Sequence, residues 1–297
     1  MTTYVVIGAT GNTGKPITLG LLKKGHTVRI VTRDEAKAKE LIGEGAQHFR
    51  TSITDITGLK KAFAGAAAAY IMIPGDLQAH DVPASQAAMV DSLAKALQGS
   101  GIQHVVTLSS VGAHLRHGAG VVQGLQKMEE HFDAIPAIHV LHLRATYFLE
   151  NGLSMAGMAK HMGIIGSPVK ADLKIPMVAS KDIAAVALEH LLALDFTGKS
   201  HAYILGSRDY TYAEIAKIYG HAIGKPELNY VQFSFEDAKK AMMQVGLGES
   251  YVDQINIFAK AMNEGKVLGD IKRRPANTTP TTAEEFSHVF KAVYEKI

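Results

Sequence analysis

A glycine-rich segment near the start of the chain restricts the fold more than any other feature. The apolar run Tyr4–Ile7 leads directly into Gly8-Ala-Thr-Gly-Asn-Thr-Gly14, and a helix pattern follows until Gly25. A glycine turn between a buried strand and a helix lets a phosphate approach the backbone N–H groups at the helix N-terminus, where the helix dipole favours negative charge. This placement predicts a turn that binds the pyrophosphate of a dinucleotide. A plain tight strand–helix turn is the alternative interpretation.

Each glycine of this turn has its own predicted role. Gly8 allows a tight turn, Gly11 lets the backbone approach the phosphates, and Gly14 lets the helix pack close to the strand. Their spacing is G-x-x-G-x-x-G rather than the tighter G-x-G-x-x-G. The polar residues between them are also predicted to contact the cofactor: Thr10, Asn12 and Thr13.

Strand and helix patterns alternate through the first half of the chain, as in a parallel sheet with crossover helices. The predicted strands are Tyr4–Ile7, Thr27–Thr32, Ala46–Phe49, Ala67–Ile73, His104–Ser109 and Ile138–Leu143. Six strands with helices between them predict an α/β fold built on a doubly wound parallel Rossmann sheet. We expect residues 1–150 to form this dinucleotide-binding domain.

The rest of the chain is less regular. We expect residues 175–205 to return to the first domain, with a strand over Lys174–Val178 rejoining the main sheet. The remainder of residues 151–297 is predicted to be a smaller α/β, mostly helical region that forms a substrate cleft. Two helix starts match the capping-box pattern, Thr211–Glu214 and Thr281–Glu284, and Ser234–Asp237 is a weaker variant.

The composition narrows the classes of function. The 297 residues are 47% hydrophobic, contain no cysteine, and carry a net charge of +3. The absence of cysteine excludes thiol nucleophiles, disulfides and thiolate metal sites, and the histidine spacing does not suggest another metal site. The small basic excess gives no reason to expect nucleic acid binding.

The strand that starts at Tyr4 leaves no room for a cleavable signal, and no apolar run reaches about 18 residues. We therefore expect a soluble cytoplasmic protein that does not bind a membrane.

The tip of the second predicted strand bears on the choice between NAD and NADP. An acidic residue there would bind the ribose 2′-hydroxyl, whereas an arginine accommodates a 2′-phosphate. Arg33 occupies this place and Lys37 lies one helical turn further on. Asp34 follows the arginine and has an alternative role as a helix cap. The pattern favours NADP(H); an arginine exposed to solvent for no such purpose is the alternative.

Open α/β sheets place ligands at the carboxyl ends of their strands. Pro74 follows the fourth predicted strand and Ser109 ends the fifth, so both are predicted to contact the cofactor. In short-chain dehydrogenases a serine at this place is followed by Tyr-x-x-x-Lys, whose tyrosine protonates a carbonyl. The corresponding stretch here is Gln123-Gly-Leu-Gln-Lys127. An amide is no general acid near neutral pH, which argues against ketone–alcohol chemistry and leaves direct hydride transfer to a quinone-like acceptor open.

Other side chains near this edge are candidates for supporting the reaction. Lys127 could bind the nicotinamide ribose or a substrate oxygen, although a solvated lysine fits the helix pattern equally well. His114 and His117 lie in the loop after the fifth predicted strand, where His117 could donate a proton; an exposed loop histidine is the alternative. A methionine stripe borders the predicted pocket and suits either the core or an apolar lining for flat substrates: Met155, Met158 and Met162.

Several of these motifs together resemble one family. They are Gly8–Gly14, Thr32-Arg33, Ser109-Ser110, Lys127 and the stretch Leu143–Asn151 (LRATYFLEN). The chain is similar to the NmrA-like group of atypical short-chain dehydrogenases over roughly residues 1 to 290. The family includes NADP(H)-dependent quinone reductases, plant reductases of lignan-type ethers, and catalytically silent proteins that sense the NADP state and regulate transcription factors.

The resemblance implies roles for particular residues. Arg33 and Lys37 would hold the 2′-phosphate, while Lys127, Tyr147 and Phe148 would border the nicotinamide and substrate pocket. Family members often have an aspartate after the third strand to contact adenine, where this chain has Ser52.

Two functions follow as hypotheses. The first is an NADPH-dependent reductase of a small apolar carbonyl or quinone, with Lys127 or His117 supporting the charge that develops on oxygen. The second is a non-catalytic NADP(H) sensor that acts through a regulatory protein partner, which Gln123 favours. Nucleotide-sugar epimerisation is disfavoured because that chemistry also needs the missing tyrosine.

Overall fold

The computed structural model describes residues 1–269 and 271–297. The strands are β1 (Thr3–Ile7), β2 (Thr27–Val31), β3 (Gln47–Phe49), β4 (Ala68–Ile71), β5 (His104–Ser110), β6 (His139–Ala145), β7 (Tyr147–Phe148), β8 (Ile164–Ser167), β9 (Ile175–Val178), β10 (Lys199–Ile204), β11 (Asp209–Tyr210) and β12 (Asn229–Gln232). The helices are α1 (Gly14–Lys23), α2 (Glu35–Gly43), α3 (Ile56–Phe63), α4 (Val82–Leu97), α5 (Gln123–Asp133), α6 (Ala156–His161), α7 (Ser180–Ala193), α8 (Tyr212–Ala222), α9 (Phe235–Gln244), α10 (Glu249–Asn263) and α11 (Ala283–Lys296).

The central sheet has seven parallel strands in the order β10-β6-β5-β4-β1-β2-β3. Helices pack on both of its faces, so the doubly wound parallel Rossmann sheet expected from the sequence is confirmed. Strand order reverses between β1 and β4, which leaves a crevice above their carboxyl ends. That crevice is where the glycine turn lies.

Alternation along the strands divides the core between the two faces. Val6, Tyr70 and Val106 pack against α1 and α7. Their neighbours Val5, Ile71 and Val105 pack against α3, α4 and α5. Because β1 and β4 are buried on both faces, their sequences are almost continuously apolar.

The expected return of Lys174–Val178 to the main sheet is wrong. This segment does form a strand, β9, but it pairs with β7 and β11 in a separate three-stranded sheet. The edge of the central sheet beside β6 is taken instead by β10, whose six residues all pair with that strand. β10 has six residues that can form a ladder with β6, whereas β9 has only four. The pattern of apolar residues predicts that a segment is a strand, but it does not identify the strand with which that segment pairs.

The region after residue 150 has its own apolar core, in which α8, α11 and β9 meet around Tyr210, Tyr219 and Phe290. Its helix starts follow the predicted capping pattern with one exception. Thr211 and Glu214 form the capping box at α8, and Ser234 caps α9. None of the described helices is both long and apolar enough to cross a bilayer.

The exception is the box predicted at Thr281–Glu284, which is wrong by one residue. Thr282 and Glu285 form the capping box of α11. Thr281 is unavailable because its N–H and its hydroxyl both donate to the buried carboxylate of Asp182, at 2.9 and 2.7 Å. The contact between Thr281 and Asp182 of α7, which lies far away in the sequence, therefore moves the capping box to the next residue.

Candidate functional site

The turn between β1 and α1 has the geometry that its glycines predict. Gly8 has a φ of +79°, in the left-handed region where a side chain is disfavoured. The N–H of Gly11 donates to the carbonyl of Gly8 at 3.0 Å. A Cβ atom at Gly14 would lie 2.2 Å from that same carbonyl oxygen, so α1 packs against the turn as closely as its backbone permits.

The N-terminus of α1 has an unused capacity for an anion. The cap residue, Thr13, makes no side-chain hydrogen bond to the first turn, and that turn contains no acidic residue. The Lys15 N–H donates to the carbonyl of Gly11 at 3.0 Å and Pro16 has no N–H, so the turn offers an anion the Gly14 N–H and the positive end of the helix dipole. Thr10 and Gly11 are exposed beside it, and Asn12 lines a cavity of about 300 Å³ together with Glu150. These features fit the pyrophosphate of a dinucleotide.

Thr13 differs from its exposed neighbours in the turn because it is buried. The hydroxyl of Tyr70, on β4, donates to Thr13 Oγ1 at 2.9 Å. Burial raises the pKa of Tyr70, which keeps this phenol protonated. The Thr13 hydroxyl thus joins the turn to the sheet, and Tyr70 is a positioning residue that the sequence analysis missed. In the sequence, Tyr70 is recognisable only as a tyrosine that follows the alanines of β4.

The carboxyl ends of β2 and β3 form a basic edge. Arg33 and Lys37 are exposed there, while the Asp34 carboxylate accepts the Lys37 N–H at 3.1 Å and caps α2. Asp34 therefore serves as a cap. Arg50 follows β3, whose Phe49 lies opposite Val31 of β2. It adds a second exposed guanidinium to this edge, one that the sequence analysis missed because β3 was a weak pattern.

The predicted residue Ser109 lies in a buried polar network under α5. Its hydroxyl donates to Glu129 Oε1, and Arg144 Nε donates to the same oxygen at 3.0 Å. Burial is the largest single influence and opposes the charged form of Arg144, but hydrogen bonds and electrostatic attraction to Glu129 and Tyr203 together outweigh it and raise the pKa of the guanidinium. Arg144 also donates to the Tyr203 hydroxyl at 3.2 Å. Lys127, two residues before Glu129, is exposed instead.

Gln123 holds the loop that follows β5. Its side-chain amide donates to the carbonyl of Arg116 at 2.9 Å and to Gln126 Oε1 at 3.1 Å. In the same loop, His114 Nε2 lies 3.2 Å from the carbonyl of Lys266, and His117 is exposed. The residue that stands in place of the usual tyrosine therefore has a structural role here.

Aromatic side chains cluster around β7. Tyr147 and Phe148 constitute β7 and are half-buried. The Tyr147 ring meets Tyr212 edge-on at 6.1 Å, and Tyr212 stacks on Tyr230 at 4.7 Å between centroids. Burial raises the pKa of Tyr147. In the methionine stripe, Met155 is buried in the core and Met162 is 63% exposed.

The N-terminus of α10 is joined to the loop that follows β4. The N–H of Gly248 donates to the carbonyl of Leu77 at 2.9 Å, and the N–H of Val82 donates to Ser250 Oγ at 3.0 Å. The Gln78 side-chain amide also donates to the carbonyl of Gly246. This loop contains Pro74, so α10 is held beside a residue that is predicted to contact the cofactor.

Comparisons with known proteins agree with this architecture. The model of the NmrA-like family matches residues 2–289. The chain is 26% identical over 298 residues to an NAD(P)H azoreductase of Xenophilus azovorans, covering 97% of this chain and 99% of that protein. An NADPH-dependent quinone oxidoreductase of Escherichia coli, solved with NADPH, has a TM-score of 0.81 at 22% identity, over 97% of this chain and 99% of that one. NmrA, a negative transcriptional regulator solved with NAD, has a TM-score of 0.75 at 17% identity, over 99% and 97%. At these identities the two structural similarities bear on the fold alone.

Proposed function

Because the chain belongs to the NmrA-like family, we propose that it is an NADP(H)-dependent reductase that transfers a hydride to a small quinone-like or carbonyl acceptor. The observation that carries this proposal is the N-terminus of α1, which no side chain caps, beside the exposed residues Thr10–Asn12 of the glycine turn. Two relatives, the azoreductase and the quinone oxidoreductase, have names that describe reductions of this kind.

The preference for the phosphorylated cofactor rests on the edge formed by β2 and β3. Arg33 and Lys37 would hold the 2′-phosphate, and Arg50 would add a second guanidinium. Guanidinium groups bind phosphate through paired, charge-assisted hydrogen bonds. Asp34, the first carboxylate after the strand tip, accepts the Lys37 N–H through one oxygen and lies 3.8 Å from Lys37 Nζ through the other, so it is engaged within its own helix.

Each further part of the site would have a separate task. When bound, NADPH supplies a hydride from its nicotinamide ring. Pro74, Tyr147 and Phe148 would shape the pocket around that ring and exclude water from it. Lys127 or His117 would donate a hydrogen bond to the oxygen on which negative charge develops. The buried hydroxyl of Ser109 points to Glu129, so its predicted contact with the cofactor would require that bond to open.

The test of this proposal is NADPH oxidation, followed by absorbance at 340 nm, with panels of quinones, azo compounds and carbonyl compounds. We expect steady turnover with at least one class, and a lower KM for NADPH than for NADH. NADPH binding without turnover of any acceptor class would contradict the reductase.

Gln123 favours a second candidate function, a non-catalytic NADP(H) sensor. Its amide holds the loop after β5 in place of a proton donor, and the Ser109 hydroxyl is engaged by Glu129. A sensor needs only the cofactor site and a surface for a regulatory protein partner. Retention of a protein from a cell extract that depends on the ratio of NADP⁺ to NADPH, together with absent turnover, would support it.

A further inference from the structure

We propose that Tyr251, the third residue of α10, donates the proton that the acceptor needs when it is reduced. It would thus replace the tyrosine that is missing at Gln123, but from a different part of the chain. This inference rests on the proposed reductase function.

The Tyr251 ring packs on the loop that follows β4. A Cβ atom at Gly75 would lie 4.0 Å from Tyr251 Cε2, so the ring covers the residue directly after Pro74. Burial is the main cause that raises the pKa of Tyr147, and the nearby phenol of Tyr251 acts in the same direction. Its ring therefore packs on the loop after β4, and its phenol lies within electrostatic reach of Tyr147 in β7.

The helix α10 is attached to two loops at the carboxyl edge of the sheet. Its N-terminal end is bonded to the loop after β4 through Gly248 and Ser250. One turn after Tyr251, it meets the loop after β5, where a Cβ atom at Gly120 would lie 2.1 Å from the carbonyl oxygen of Gln254. Anchors on both sides of Tyr251 give its ring a defined place.

In the described part of the chain, the hydroxyl group of Tyr251 is free to donate a hydrogen bond. Within residues 1–269 and 271–297, the Tyr251 hydroxyl has no hydrogen-bond partner, in contrast to the Tyr70 and Tyr230 hydroxyls, which do have partners. The side chain is half-buried, and burial raises the pKa of its phenol. A protonated, unpaired phenol beside the predicted nicotinamide site is suited to donate to an oxygen of the acceptor.

The proposed step balances. The hydride, with its two electrons, would come from bound NADPH. The O–H bond of Tyr251 breaks as a new O–H bond forms on the acceptor oxygen, and water returns a proton to the phenolate. A quinone, NADPH and one proton thereby become a hydroquinone and NADP⁺.

The kinetic test compares Tyr251→Phe with the matched control Tyr294→Phe, which alters a tyrosine of α11 that packs against Lys160. The acceptors form a series of quinones whose hydroquinones differ in pKa. For the most basic product we expect Tyr251→Phe to lower kcat about 100-fold, a typical effect of losing a general acid. The loss should shrink as the product becomes more acidic, because such a product needs less help from a proton donor.

A second readout does not depend on turnover. The chain contains no tryptophan, so quenching of its tyrosine fluorescence reports binding of menadione to the cofactor-free protein. Loss of one hydrogen bond should raise the Kd of Tyr251→Phe roughly fivefold. Tyr294→Phe should leave both kcat and Kd unchanged. Tyr251→His, which restores a proton donor, should recover part of the rate.

The outcomes separate the two proposals. If the wild-type protein reduces quinones and Tyr251→Phe loses the same factor with every acceptor, or loses nothing, the role of Tyr251 is overturned and the reductase stands. If the wild-type protein reduces no acceptor, the reductase is overturned and the proton donor with it. A loss that varies with product pKa and a weaker menadione complex support Tyr251.

Discussion

Single residues of the glycine turn differ in how much change they allow. Gly11 would bring a Cβ atom to 3.3 Å from the Gly8 carbonyl, whereas Gly14 would bring one to 2.2 Å. The atoms that Gly14 would meet belong to the backbone of Gly8 and Ala9, which cannot rotate away as a side chain could. Gly14 is therefore the position where substitution must move α1 away from β1.

We expect Gly14→Ala to lower the free energy of unfolding by about 1–3 kcal/mol, the usual cost of forcing extra atoms into a packed site. The displaced helix N-terminus should also weaken NADPH binding. Denaturant unfolding and a fluorescence titration with NADPH measure the two effects.

Gly43→Ala is the matched control, because a Cβ atom at this last residue of α2 would meet nothing within 4 Å. It should leave binding unchanged and stability equal or up to about 1 kcal/mol higher. Equal losses in the two variants would show that the close approach at Gly14 is not the cause.

Among the secondary-structure elements, β4 and α1 are linked through one buried hydrogen bond. The Tyr70 hydroxyl crosses from the sheet to Thr13, which directly precedes α1. This bond orients the helix N-terminus that would face the phosphates. We therefore expect this hydrogen bond both to stabilise the fold and to position the predicted phosphate site.

A double-mutant cycle of Tyr70→Phe and Thr13→Val tests this link. Tyr70→Phe should lower the free energy of unfolding by about 0.5–1.5 kcal/mol, the range for one hydrogen bond. Because each variant removes the same bond, the double variant should lose about 1 kcal/mol less than the sum of the two. Losses that simply add would mean that the two hydroxyls act independently.

At the scale of the whole molecule, the proposed cofactor path touches parts of the chain that are distant in sequence. It runs from Arg33 and Arg50 over the start of α1 to Pro74 and β7. The N-terminus of α10, which belongs to the region after residue 150, is hydrogen-bonded to the loop that contains Pro74. Cofactor binding should therefore stabilise the fold as a whole.

We expect NADPH at about 100 times its Kd to add roughly 2.7 kcal/mol to the free energy of unfolding and to raise Tm by roughly 5 °C. At equal concentration NADH should raise Tm less, because it has no 2′-phosphate for the arginines. Combining Arg33→Ala with Arg50→Ala should reduce the NADPH shift to that of NADH. Differential scanning fluorimetry measures all of these shifts.

Arg116→Ala, which changes an exposed arginine in the loop after β5, is the control and should keep the full NADPH shift. A larger shift with NADH than with NADPH in the wild-type protein would contradict the proposed roles of Arg33 and Arg50.

The sequence by itself determined the features that depend on local periodicity and on backbone freedom. The apolar runs identify β1 and β4, because strands buried on both faces are apolar throughout, and less regular patterns identify the other strands up to β6. The glycines identify the turn, because Gly8 needs a positive φ and Gly14 needs room. Arg33 could be assigned to the tip of β2 from these elements alone.

Only the tertiary structure decided which distant segments meet. β9 pairs with β7 rather than with the central sheet, and Asp182 takes Thr281 away from the capping position. Tyr251 reaches the edge of the sheet from residues far along the chain. Such contacts depend on which buried partners are available in three dimensions, and no local pattern of residues contains that information.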